Sequence, residues 1–414
     1  MSGYVLIGGG VASAAAATGL RGAGYDGPIT LIADEPHAPY ERPPLSKEYL
    51  AGQVEPADFE VNPRSWYTEN GVDLRLATRA TSIDVDDHRV HLSDGEALDY
   101  DGLVLATGVR ARALPGFGGD RVHTIRSVAD SKRLGDRIGP GTRLAILGAG
   151  FIGCEVAAIA VAAGASVVVF DPSPVPLARV LGSRIGEVMV GVHTERGVDV
   201  RAGQVITEMT ETATGLRLVT GDGDVVEADE LLVGVGSVPN VELAVEAGIE
   251  VDGGIVTDEF GRTGASDVYA IGDVAARLEP SLGRRVRVEH HDTAMRHGAN
   301  VAANLLGAAQ PFTEQPFFWS DQYDQKLQSV GRFDSDGEHV IRGSLADRSF
   351  AAFSVVDGRI TGLVALNRPG DVLQARKVLS VPHEVTVEQL VDEKFPLKRL
   401  LPRVARARRS EVPA

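Results

Sequence analysis

What most limits the fold of this chain is a strand, glycine turn, helix and strand unit that occurs twice. The first opens with Tyr4-Val5-Leu6-Ile7 and turns through Gly8-Gly9-Gly10-Val11-Ala12-Ser13. An Ala-rich helix then runs to about Leu20, and a strand, Ile29-Thr30-Leu31-Ile32, closes at Asp34. In the second unit, Arg143-Leu144-Ala145-Ile146-Leu147 leads into Gly148-Ala149-Gly150-Phe151-Ile152-Gly153. A helix predicted over Cys154–Ala163 and a strand over Ser166–Phe170 follow, ending at Asp171. Gly8 and Gly148 permit the sharp turn, while Gly10 and Gly150 let a pyrophosphate approach the backbone. Ser13, a small substitute for the usual Gly or Ala, and Gly153 allow the helix to pack closely on its strand. The helix N-terminus favours the phosphates, and Asp34 or Asp171 is placed for a ribose hydroxyl. Two such units predict two dinucleotide sites on Rossmann-like folds. A carboxylate at Asp171 would repel a 2′-phosphate, so the second site is expected to take NADH, although Arg179 lies within reach of the region.

Composition narrows the class further. At 414 residues and 43% apolar, the chain can bury two or three cores, and 48 glycines with 5% aromatics suit an α/β protein. A net charge of −16 opposes binding to nucleic acid or anionic lipid. The basic run of Lys394, Lys398, Arg399, Arg403, Arg406, Arg408 and Arg409 breaks that trend. It reads either as a solvated tail or as a docking patch for an acidic partner. The N-terminus carries no basic leader, and the longest apolar run, Val156–Phe170, is interrupted by Gly164 and is too short to span a bilayer. The expectation is a cytoplasmic protein with no membrane span. The single cysteine, Cys154, cannot form an internal disulfide. It is expected to be a small buried side chain, a helix-activated thiolate being the alternative.

Three further segments bear on the first nucleotide. Tyr100-Asp101-Gly102-Leu103-Val104-Leu105-Ala106-Thr107-Gly108 is a strand ending in a Thr-Gly turn, and Glu230 to Asn240 repeats the pattern with Gly236 at its turn. Val268-Tyr269-Ala270-Ile271-Gly272-Asp273 precedes what reads as a helix start at Val274-Ala275-Ala276. Asp273 there could accept from a ribityl hydroxyl or cap that helix. The order of these motifs resembles the two-dinucleotide-binding-domain flavoproteins related to glutathione reductase. The resemblance implies a split FAD-binding domain (residues 1–111 and 243–311), an inserted NAD-binding domain (112–242) and a small α+β C-terminal domain (312–414).

Pro43-Pro44-Leu45-Ser46-Lys47 stands where disulfide reductases and peroxide-reducing relatives carry a redox cysteine. Without a thiol, relay of electrons through cysteine is physically unavailable. The segment is similar instead to FAD-dependent NADH:ferredoxin reductases of bacterial oxygenase and cytochrome P450 systems, the putidaredoxin reductase type. Gly148–Ala157, Val288–Ala294 and Phe317–Tyr323 match as well. The resemblance implies that Lys47 lies near flavin N5, where a cation stabilises reduced flavin, and that Glu155 lies near the nicotinamide. A pair between them that rearranges when NADH enters is expected, against the plainer readings of a surface lysine and a first-turn glutamate. Arg126 matches an arginine that contacts FAD, with an exposed ion pair as the alternative. Ala12 and Ala80 match FAD contacts made through backbone or packing.

His291 departs from the tryptophan that many relatives have there, leaving its role between stacking on the flavin and hydrogen bonding. Metal is a poor reading of Glu289-His290-His291, because adjacent residues rarely face one ion. Trp319 is expected either near the flavin and the ferredoxin-docking face or in the core, and Trp66 in the core. From Phe312 the chain reads as short strands, Gln325–Val330, Glu338–Arg342, Ser349–Val356 and Ile360–Leu366, then a helix over Pro369–Leu379.

The chemistry so implied is hydride transfer from NADH C4 to flavin N5, then release of single electrons to a [2Fe–2S] or related ferredoxin, with no side-chain general base. The competing readings are an NADH:rubredoxin reductase or diaphorase, and an apoptosis-inducing-factor-like redox-responsive binding protein. A monomer is the expected form, a dimer being left open.

Overall fold

The computed structural model describes residues 3–279 and 282–401. Arg403, Arg406, Arg408 and Arg409 of the basic run lie outside them. In the first sheet the strand Gly3–Ile7 is central, parallel to Ile29–Ile32 on one side and to Ala97–Leu105 on the other. Val72–Arg75 extends it beyond Ile29–Ile32. Val268–Ala270 returns late in the chain to pair in parallel with Leu103–Leu105. Residues far apart in sequence therefore complete one sheet. Its central strands Gly3–Ile7, Ile29–Ile32 and Val268–Ala270, and the Leu103–Leu105 end of their neighbour, are mostly apolar, as strands covered on both faces require.

A second sheet is wholly parallel, in the order Asp199–Ala202, Ser166–Asp171, Arg143–Leu147, Glu230–Val233, Val122–His123. A three-stranded antiparallel sheet, Ile206–Glu211, Leu216–Thr220 and Val225–Ala228, lies between its strands in sequence. The chain crosses between the first, mixed sheet and this parallel one at Val109–Ala111 and Ser237–Pro239, which pair with each other. The C-terminal sheet is five-stranded and antiparallel, starting with Phe317–Gln322, one strand earlier than the sequence expectation. Its second to fifth strands, Gln325–Gly331, His339–Ser344, Ser349–Val356 and Arg359–Leu366, match that expectation within three residues at either end.

Small residues set how the helices approach the first glycine turn. The helix Val11–Gly22 buries Ala14, Ala16, Ala17 and Leu20 and packs along His291–Leu305. A Cβ on Gly298 would lie 2.1 Å from the carbonyl oxygen of Ala12, and one on Gly19 would lie 2.8 Å from the Ala302 Cβ. This contact brings the start of the second helix, with His291, beside the turn.

Two local expectations are corrected. The second glycine helix spans Phe151–Ala162, because Gly150 supplies the extended N-cap and Gly153 is accommodated within the first turn. A Cβ on Gly153 would meet the Gly148 carbonyl oxygen at 2.1 Å, so glycine is retained there for packing. Glu155 consequently sits past the first turn. Val274-Ala275-Ala276 does not begin a helix: Gly272–Val274 is one 3-10 turn, and Ala275–Glu279 is a strand paired with Ile255–Thr257. A waiting strand partner outweighs the helix propensity of the alanines. Asp273 lies inside the turn, whose N-cap is Ile271.

Four histidines are held where burial disfavours their charged form. His297 is completely buried, accepts the Gly272 N–H at 3.3 Å and has its pKa pushed down to about 3 by desolvation, with the Arg277 charge adding to it. Burial also lowers His123, His193 and His290. An unfolded histidine titrates near 6.5, so between that value and about 3 the unfolded chain binds the extra proton at His297. The contribution of His297 is therefore full above pH ~6.5 and is lost as pH falls below it toward about 3, by about 1.4 kcal/mol per pH unit. Denaturant unfolding at pH 7.5 and 5.0 is expected to show that loss. His297→Leu should be less stable at pH 7.5 yet lose less on acidification, and an unchanged pH dependence in this variant would refute the assignment.

Candidate active site

A continuous cleft of about 1740 Å³ runs between the two glycine turns. Gly8, Gly10 and Ala12 line it from one side, and Gly148, Gly150 and the exposed side chain of Ile152 from the other. Gly8 and Gly148 have φ of +133° and +97°, which L side chains rarely adopt. A Cβ at Gly10 or Gly150 would meet nothing within 4 Å. Both helices begin at these glycines with no side-chain cap, so their first-turn N–H groups have no capping side-chain acceptor among the described residues. The donor set fits a pyrophosphate at each turn. Ser13 and Gly153 do not line the cleft: Ser13 is buried beneath its turn, its hydroxyl donating to the carbonyls of Gly8 and Gly10. They are packing residues, in keeping with their predicted part in helix–strand contact.

The acidic residues behave differently from each other. Asp171 accepts the Ala149 N–H and the Ser173 N–H, both at 2.8 Å, and so braces the second turn. Asp34 is exposed at the cleft and 3.4 Å from Arg79, while its neighbour Glu35 is held by Tyr40 at 2.7 Å and Arg42 at 3.2 Å. Arg179 also lines the cleft.

Thr107 and Asn240 latch the two crossing segments. The Thr107 hydroxyl donates to the Asn240 carbonyl at 2.7 Å, and the Asn240 amide donates back to the Thr107 carbonyl at 2.8 Å. Gly108 (φ +64°), Gly236 (φ +105°) and Gly272 (φ +70°) turn the backbone along the same cleft, and Ala80 lines it too. The Arg126 guanidinium donates to Asp273 at 3.0 Å from within the cleft wall. Its Nε is buried with no hydrogen-bond partner among the described residues, a donor left for a bound anion. This is a half-buried ion pair, not an exposed one.

The Lys47 ammonium lies 2.6 Å from the Glu155 carboxylate, with both side chains at most 10% exposed. The surface-lysine and first-turn-glutamate readings are thereby corrected. Lys47 follows a 3-10 turn, Pro43–Ser46, whose prolines fix the backbone and whose Pro43 carbonyl accepts from Lys47 at 3.3 Å. His291 meets Trp319 edge-on at 5.6 Å between ring centres, and both line the cleft. The His291 Nε2 lies 3.7 Å from Glu41, beyond hydrogen-bond distance. Trp66 is half-buried and packs against the apolar cluster that contains Leu20, Leu31 and Tyr67.

Cys154 is buried away from the cleft, its thiol facing the Ala149 carbonyl at 3.6 Å. Burial, with the Glu155 and Asp171 charges nearby, pushes its pKa up to about 12, so the reactive-thiolate alternative is overturned. Sequence reasoning gave no role to Ser46, Ser320, Arg42 or Asn240. Ser46 and Ser320 stand inside quoted motifs, but nothing local to either marks it as a partner of Glu155.

The pyridine nucleotide-disulphide oxidoreductase family matches residues 2–298, and the reductase C-terminal domain matches residues 317–401. Rhodocoxin reductase of Rhodococcus erythropolis is 38% identical, the alignment covering 99% of this chain and 96% of that protein. Putidaredoxin reductase of Pseudomonas putida is 35% identical over 96% of each. Among solved structures, putidaredoxin reductase in its covalent complex with putidaredoxin superposes with a TM-score of 0.92 at 34% identity, covering 96% of this chain and 98% of that one. The ferredoxin reductase for the CYP199A2 system from Rhodopseudomonas palustris gives 0.93 at 37% identity, covering 96% and 99%. Length, fold and both domain matches agree: the chain belongs to the pyridine nucleotide-disulphide oxidoreductase family and carries the reductase C-terminal domain.

Proposed function

We propose that this chain is an FAD-dependent ferredoxin reductase, taking electrons from NADH and delivering them to a [2Fe–2S] or related ferredoxin that serves a cytochrome P450 or a dioxygenase. The observation that carries the reading is one cleft lined by both glycine turns, with the buried Lys47–Glu155 pair at its wall and the chain's single cysteine outside it. Bound FAD supplies the redox chemistry, accepting an electron pair from NADH and releasing electrons singly. The names of the relatives, reductases for rhodocoxin, putidaredoxin and dioxygenase ferredoxins, support the same acceptor class.

In this reading residues 1–111 and 243–311 hold FAD, 112–242 hold NADH and 312–414 form the C-terminal domain. Gly8, Gly10, Ala12, Asp34, Ala80, Thr107, Gly108, Arg126, Gly272 and Asp273 face the flavin nucleotide. Gly148, Gly150, Ile152, Asp171 and Gly236 face NADH. Lys47 keeps a cation at the reacting end, Glu155 aligns that cation, and His291 and Trp319 close the flavin edge. The proposed form is a cytoplasmic monomer; no helix of the described residues is long and apolar enough to cross a membrane.

The test is stopped-flow reduction of the holoprotein by NADH, followed by cytochrome c reduction with and without added ferredoxin. A ferredoxin reductase reduces cytochrome c rapidly only when ferredoxin is present. A rate independent of ferredoxin, or a long-lived NADH–flavin charge-transfer complex with poor turnover, would overturn the reading.

A further inference from the structure

Glu155 is held from two further directions. Its Oε2, besides meeting Lys47, accepts the Ser46 hydroxyl, and its Oε1 accepts the Ser320 hydroxyl at 2.6 Å. Ser320 in turn accepts from the Gln322 amide at 3.0 Å. The Gln322 carbonyl faces His193 Nε2 at 2.9 Å, and His193 Nδ1 faces the Tyr323 hydroxyl at 3.2 Å. Ser320 and Gln322 are fully buried and His193 is 3% exposed.

Hydrogen-bond inventory makes this line directional. A glutamate paired with a lysine can only accept, so Ser320 donates to it and has its oxygen free to accept from Gln322. The Gln322 carbonyl then requires a proton on His193 Nε2, which leaves Nδ1 to accept from Tyr323. Desolvation lowers the pKa of His193, consistent with the neutral ring this order needs. Each donor points toward Glu155. The contributing elements are separate: the glycine helix supplies Glu155, the helix Ser183–Thr194 supplies His193, and the first strand of the C-terminal sheet supplies Ser320 and Gln322. On that strand alternate residues face opposite sides, so Trp319 meets His291 at the cleft while Ser320 meets Glu155.

We infer that Ser320, backed by Gln322 and His193, is a positioning residue for flavin reduction, fixing the Glu155 carboxylate against Lys47. The C-terminal domain thereby belongs to the reduction site. The inference rests on the proposed roles of Lys47 and Glu155. With one Glu155 oxygen tied to Ser320, the carboxylate is held against the ammonium, and Ser320, Gln322 and His193 do not line the cleft that would receive NADH. Loss of Ser320 should therefore act on the reduction step and leave NADH affinity alone.

The experiment compares holoprotein of wild type, S320A, E155Q and S320A/E155Q. Limiting rates of flavin reduction and NADH dissociation constants are read from stopped-flow at varied NADH. S320A is expected to lower the limiting rate ~10-fold with the NADH dissociation constant within ~2-fold, and to add nothing on the E155Q background. A purely structural role would not produce that non-additivity. Equal slowing by S320A in both backgrounds, or a limiting rate within ~2-fold of wild type, would overturn the inference. If E155Q itself reduces at the wild-type rate, the Lys47–Glu155 assignment falls first and the inference with it. Should S320A be recovered without FAD, Gln322→Met replaces it in the same cycle. It is expected to slow the limiting rate ~3-fold in wild type and not in E155Q, with additivity again the overturning result.

Discussion

Lys47→Met is expected to slow reduction of the bound flavin by NADH about 10²-fold, the usual loss when one preorganised charge is removed from a reacting centre. The substitution keeps the length of the side chain and removes only the cation 2.6 Å from Glu155. Because both partners are nearly excluded from water, the stranded carboxylate should also destabilise the fold by about 3–5 kcal/mol. The two effects can be separated. In Lys47→Met/Glu155→Leu no charge is left uncompensated, so roughly half of the lost stability should return, the remainder being the hydroxyls of Ser46 and Ser320 left without their acceptor. The rate should stay low, because the cation is still missing. Stopped-flow bleaching of the flavin band and thermal unfolding of the same preparations provide both readouts. A double variant that regains its reduction rate together with its stability would show that Lys47 is only a structural ion.

Arg126→Leu should weaken FAD binding about 10²-fold, or about 3 kcal/mol. The argument is geometric. One arm of the guanidinium is committed to Asp273 at 3.0 Å, and the buried Nε has no acceptor among the described residues. Removing the side chain deletes that free donor and leaves Asp273, itself 14% exposed, without its partner, so negative charge accumulates where an anionic ligand must bind. Arg126→Lys keeps the charge and loses the fork, and should fall between wild type and Leu. Titration of the apoprotein with FAD, followed by quenching of flavin fluorescence, gives the affinities. A dissociation constant within ~3-fold of wild type in the Leu variant would remove Arg126 from the FAD site.

Much of the site was legible because its chemistry is local. Gly8, Gly10, Gly148 and Gly150 act through their own backbones, at a spacing any six-residue window contains. Lys47 was singled out by the resemblance that Pro43-Pro44-Leu45-Ser46-Lys47 carries, and the two prolines fix the turn it follows, whatever packs against it later. Local reading failed where a distant partner decided the outcome. Ala275 and Ala276 have good helix propensity, but Ile255–Thr257 offers them a strand ladder. Asp273 had the form of a helix cap and is instead committed to Arg126, 147 residues earlier.

The sequence by itself determined two nucleotide-binding turns, the mixed α/β fold class, a sheeted C-terminal domain and the absence of a sulfur relay. These follow from backbone freedom at glycine, from hydrophobic periodicity and from a count of thiols. Only the tertiary structure decided how Glu155 is held. Its hydroxyl partners lie 109 residues before it and 165 after it, a separation at which no local spacing rule operates. A buried carboxylate must satisfy its oxygens with whichever donors the packed domains bring within reach.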